Sequence, residues 1–119
     1  MQIDWSSQQG RRTRSNNDAA AVGHKGHPFL AILVDAAEKG NGQALARYWA
    51  QIIVRNALSA DEPPSTTSLI DVMRAEQRKL RYQHLHAIAS YCCALVDLQQ
   101  QQLYLLHVGD CRAGIRQDS

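Results

Sequence analysis

The sequence predicts an α+β fold built on an antiparallel sheet, and three observations predict it. The apolar run FLAILVD, Phe29 to Asp35, is bounded by turn residues and reads as a strand buried on both faces. The middle of the chain changes to helical spacing, with Leu45, Trp49, Ile52 and Ile53 on one stripe and Leu69, Met73 and Leu80 on a second. After about Ala87 the segments ASYCCALVDL and LYLLHVGDCRAGI return to strand-forming residues. Strands and helices are thus segregated along the chain, which favours an antiparallel sheet over repeated βαβ units.

The expected order is β-β-β-α-α-β-β. Ile3 and Trp5 alternate with polar neighbours and suggest a short first strand over residues 1–9, followed by the polar, basic loop GRRTRSNND, residues 10–18. AAAV, residues 19–22, and Phe29 to Asp35 form a hairpin around the turn residues GHKGHP, 23–28. Residues 36–42, AAEKGNG, are a second loop. The first helix runs from about Gln43 to Leu58. Pro63 and Pro64 forbid helix in the linker, and Ser65, Thr66 or Thr67 can cap the second helix over about 67–84. Its polar face is expected to carry Arg74, Glu76, Arg78, Lys79 and Arg81. Gln99 to Gln102 form the polar loop of a closing hairpin whose last strand runs from Leu103 to Ile115.

The chain has 119 residues, the length of one domain. Its 45% hydrophobic and 20% charged residues are ordinary for a globular domain. Thirteen Lys+Arg against eleven Asp+Glu leave a formal charge of +2, too weak a basic excess to argue for nucleic acid. No apolar run reaches the ~18 residues of a membrane span, and the start MQIDWSSQQG lacks an apolar signal core. The three cysteines, Cys92, Cys93 and Cys111, contain no CxxC pair. An odd, sparse set reads as free thiols in a reducing cytoplasm.

Few residues point to chemistry by spacing alone. His24, His27, His84, His86 and His107 would need carboxylate or thiol partners to make a metal site, and they read as ordinary turn, helix-end and strand residues. No GxGxxG, GxxxxGK[ST] or GxSxG occurs. Arg11, Arg12 and Arg14 could meet a phosphate, since guanidinium matches phosphate oxygens in a fork. Asp18, Asp35 and Asp110 stand at strand ends, where acids can converge on a hard cation; each alone is equally a loop acid.

Taken in order, three segments resemble the metal-dependent serine/threonine protein phosphatases of the PP2C (PPM) family. Gly10 to Asp18, GRRTRSNND, resembles the motif G-x-x-R-x-x-N-[EQ]-D. Val34-Asp35-Ala36 and the glycines that follow resemble A-D-G-M-G-G-x-x-x-G. His107 to Ala113, HVGDCRA, resembles N-V-G-D-S-R-A and is the closest of the three. The resemblance covers about the first half of the family domain, so residues 1–119 read as a single truncated PP2C-like domain. It implies half of a sandwich of two antiparallel sheets packed face to face, with the two helices outside. It also implies a two-metal centre holding Mn²⁺ or Mg²⁺, whose bridging hydroxide attacks phosphorus. In that centre Asp35 matches the acid that bridges the metals and Asp18 the acid that supports the metal-water shell. Asp110 matches an acid that can hold a third metal, and Ala36 stands at the residue whose carbonyl contacts metal. Arg12 and Arg14 would be the phosphate-binding residues.

The chain departs from the motifs at the positions that matter for chemistry. Thr13 stands where the phosphate-binding Arg belongs, and its neighbours Arg12 and Arg14 would point to the opposite face of an extended segment. Asn17 replaces an acid or Gln, Ala36 replaces Gly, and the later metal acids have no counterpart before Ser119. The expectation is therefore a catalytically inactive PP2C-like domain acting as a regulatory or interaction module, with a phosphoprotein, a regulatory protein or a second copy of the chain as partner. The alternatives are the N-terminal part of an active phosphatase hydrolysing phosphoprotein, and an unrelated α+β domain.

Overall fold

A computed structural model describes residues 18–36, 42–83 and 89–109. The elements are β1 (Asp18–His24), β2 (Pro28–Ala36), α1 (Gly42–Ser59), α2 (Thr66–Gln83), β3 (Ala89–Asp97) and β4 (Gln102–Val108). The four strands form one antiparallel sheet in the order β1-β2-β3-β4, so the α+β class expected from the sequence is the class observed. The strand expected over residues 1–9 lies outside the described residues. Two helices separate β2 from β3 in sequence, yet these strands pair along their whole length. An even number of helices brings the chain back to the end it left, which an antiparallel neighbour requires.

Local chemistry sets the turns. At the first hairpin Lys25 N–H donates to the Pro28 carbonyl at 3.1 Å, and Gly26 takes φ +65°, which glycine adopts without steric cost. At the second hairpin the Asp97 carboxylate accepts from the N–H groups of Gln99 and Gln100 at 3.0 and 3.1 Å, an Asx turn. Gln102 already belongs to β4, and Gln101 holds a left-handed φ of +54°. β4 ends at Val108 and Gly109 takes φ +83°; residues 110–115 of the strand expected to reach Ile115 lie outside the described residues.

Ser65 is the cap of α2. Its Oγ accepts from Ser68 N–H at 3.1 Å while Ser65 N–H donates to Ser68 Oγ at 2.9 Å, a reciprocal pair like a capping box. Pro64 before the cap and Leu69 one turn into the helix are both buried, the positions of a hydrophobic staple.

The core lies between the helices and one face of the sheet. That face presents Leu30, Ile32, Val34 and Ala36 of β2 beside Ala19, Cys93 and Leu95, all buried. Against them α1 turns Ala46, Trp49, Ala50, Ile53, Val54 and Ala57, and α2 turns Leu69 and Met73. The small residues of α1 allow it to lie close on β1 and β2. Gly23 of β1 shows how close: a Cβ there would meet Leu58 Cδ1 at 2.5 Å and Val54 Cγ1 at 2.9 Å. Within this core the Trp49 and Tyr91 rings pack with centroids 4.8 Å apart.

One expected surface residue is in the interior. Glu76 is only 1% exposed, because α1 packs beside α2 along that line. Its carboxylate accepts from Asn56 Nδ2 and Lys79 Nζ, both at 3.0 Å, and from Tyr48 Oη at 3.5 Å. A buried carboxylate survives when such donors replace water.

Candidate functional site: the open face of the sheet

The opposite face of the sheet carries no helix among the described residues. Side chains alternate across a strand, so strand register assigns its members directly. Four rows cross it: Asp18–Asp35–Ser90, then Ala20–Leu33–Cys92–His107, then Val22–Ala31–Ala94–Leu105, then His24–Phe29–Val96–Leu103. None of these positions is buried. Val22, Leu103 and Leu105 are 46%, 44% and 41% exposed, high values for large apolar residues in regular strands. The face is thus polar at the Asp18–Asp35–Ser90 end and mostly apolar over the other three rows, where His107 and His24 are the polar side chains.

The acidic end gathers two of the residues singled out from the sequence. Asp18 and Asp35 are direct cross-strand partners on β1 and β2, so their carboxylates share one face and one row. Ser90 continues that row on β3. Spacing in the sequence did not point to Ser90; only the pairing of β2 with β3 brings it beside Asp35. Gly109 closes the row. A Cβ at Gly109 would lie 2.8 Å from Ser90 Cβ and closer still to its Oγ, so the backbone there approaches Ser90 as only glycine can.

Ala36 is next to Asp35 in sequence but its side chain is on the other face, buried in the core. Asp110, Arg12 and Arg14 lie outside the described residues, as do His84 and His86. His24 packs on Phe29 at the far end, with ring centroids 5.4 Å apart. Among the described residues no group of three or more His, Cys, Asp and Glu side chains is gathered closely enough to hold a metal ion. No helix among them is long and apolar enough to cross a membrane.

The two adjacent cysteines separate onto the two faces. Cys92 is on the open face, directly opposite His107. Cys93 is in the core. Burial pushes the Cys92 thiol up, and burial with the neighbouring Cys92 pushes Cys93 up to about 12. Neither thiol is poised as a nucleophile, since the thiolate is the reactive form.

On the helix side the cover thins toward β4, where Tyr104 and Val108 are 42% and 49% exposed. A cavity of about 230 Å³ remains there between α2 and the β3–β4 hairpin, lined by Ile70, Met73, Arg74, Gln77, Tyr91 and Leu106 among others.

Comparison with protein-family models, with curated proteins and with solved structures finds no match to this chain.

Proposed function

We propose that this chain is a PP2C-like phosphatase-fold domain without turnover, acting as a regulatory or interaction module through the open face of its sheet. The observation that carries the reading is the apolar, unburied face of β1–β4 opposite the helices. Half of a sandwich with outer helices has this construction, one face covered and the other made for a second sheet. The pairing of Asp18 with Asp35 supports the resemblance, because the motifs assign both acids to one centre. Contiguous apolar surface of this kind marks interaction sites.

The sequence departures favour a module over an enzyme. Thr13 removes a guanidinium of the motif and the Asn17 amide supplies no anionic charge, while affinity for hard cations follows carboxylate count. Asp18 and Asp35 would be the residues that hold Mn²⁺ or Mg²⁺, and such a cation would supply an activated water. The in-register acid pair is also what favours the second reading, the N-terminal part of an active phosphatase acting on phosphoprotein.

Calorimetric Mn²⁺ titration of the purified chain, with p-nitrophenyl phosphate turnover alongside, tests the choice. The module reading expects no turnover. Turnover that disappears in Asp35→Asn would establish the enzyme instead.

A further inference from the structure

We infer that the cavity between α2 and the β3–β4 hairpin binds a small amphipathic organic acid, its apolar ring or chain inside and its carboxylate at Arg74. The site is on the helix side of the sheet and stands apart from the open face and its proposed role.

The hollow follows from how α2 is held. Among the described residues α2 packs on α1 and makes few close backbone approaches to β3 or β4. Leu69 and Met73 reach the core, but a volume of about 230 Å³ beside Met73 stays unfilled. Protein interiors keep few voids larger than a water molecule. An apolar cavity of ~150 Å³ is enough to take up benzene, so this one has room for a ring and a short arm.

The lining combines apolar walls with a few convergent polar groups, the construction of small-molecule sites. Ile70, Met73, Arg74 and Gln77 fall at i, i+3, i+4 and i+7 on α2, so they share one face of the helix. Across the gap are Tyr91 of β3 and Leu106 of β4. Ile70, Met73, Leu106 and the Tyr91 ring supply apolar contact. Arg74 and Gln77 are exposed, so the guanidinium and the amide stand at the mouth. None of the lining residues is acidic.

The polar groups here are left over. Among the described residues Arg74 makes no ion pair, although Asp71 stands three residues before it, and the Tyr91 hydroxyl makes no hydrogen bond. Trp49, which packs on the Tyr91 ring, has its buried Nε1–H without an acceptor. On the α1-facing line of the same helix the contrast is sharp, because Glu76 accepts from Asn56, Lys79 and Tyr48. A single guanidinium offers a planar fork that matches one carboxylate in geometry and in charge.

The probe is 3-phenylpropionate, with the neutral 3-phenylpropionamide as its uncharged counterpart. Titration of the full chain to about 10 mM, followed by two-dimensional amide NMR, should show saturable shifts in α2, β3 and β4 with a Kd of about 0.1–1 mM. The amide should bind about tenfold more weakly. Arg74→Gln changes an exposed position and should remove the difference between the two probes. Ile70→Trp fills the hollow and should abolish binding of both with unchanged far-UV circular dichroism.

Absence of saturable binding by about 10 mM overturns the inference, since mass action would fill a site of this affinity. Equal binding of acid and amide by the native chain also overturns it, and that comparison stands even if a variant unfolds. So do shifts confined to the open face, or a preference for the acid that survives Arg74→Gln. None of these results bears on the interaction-module reading, which Mn²⁺-dependent turnover tests separately.

Discussion

Leu30 and Leu33 are three positions apart on β2 and chemically identical, yet Leu30 is fully buried under the helices and Leu33 is half-buried on the opposite face. The same contrast runs through the sheet, with Ile32 against Ala31 and Cys93 against Cys92. What differs is the neighbour. α1 brings Ala46, Ala50, Ile53 and Ala57 onto one face, and no described element covers the other. A continuous apolar strand sequence suits burial on both faces, and here the described helices bury one of them.

The largest effect that would break this comparison is truncation on the two faces. Leu30→Ala should cost about 3 kcal/mol or more, while Leu33→Ala should cost no more than about half of that. Urea unfolding of the two variants measures both, and equal losses would mean that the open face is internally packed. The next effect concerns how closely the covered face is seated. Gly23→Val drives a side chain into Leu58 and Val54 and should destabilise by about 2–3 kcal/mol, whereas Ala20→Val on the open face should lie within about 0.5 kcal/mol of the native chain.

A comparison inside the helix layer is sharper than it first looks. Glu76→Ala leaves Asn56 and Tyr48 without their buried acceptor and should cost about 2 kcal/mol. Lys79→Ala removes a partner whose own side chain is 65% exposed, and should cost less than about 0.5 kcal/mol. Denaturation of the two variants side by side tests whether the carboxylate's bonds to α1 or its ion pair within α2 contributes more to stability.

The cysteines give a pH-dependent version of the contrast. Cys93 has its thiol raised from 9.0 to about 12 in the folded chain, so the folded state retains a proton that the unfolded state releases. The stability it contributes is complete below about pH 9 and is lost as pH rises toward 12. Cys93→Val should flatten that alkaline decline in a series of urea titrations, and Cys92→Val should flatten it less. The smallest effect is at the second hairpin, where Gln101→Gly relieves a left-handed side chain and should stabilise by about 0.5–1 kcal/mol in thermal unfolding.

Element type and order were legible from local residue chemistry. The helical stripes of α1 and α2, the Pro63-Pro64 linker, the polar hairpin loop and the apolar strands all express preferences contained within a few neighbouring residues. Boundaries were less legible: β4 begins at Gln102, inside the polar run expected as loop. The burial of Glu76 was not legible either, since a charged residue in a polar stripe becomes interior only when a second helix brings donors to it.

The sequence by itself determined an α+β domain, two amphipathic helices between two hairpins, and acids at strand ends. Each of these follows from periodicity, turn chemistry and side-chain polarity, which act over short separations along the chain. Only the tertiary structure decided that Asp18 stands opposite Asp35 with Ser90 beside them, that Cys93 and not Cys92 is the thiol in the core, and that no described element covers one face of the sheet. Those facts depend on which strands pair and on which side the helices pack, and residues distant in sequence meet only through that choice.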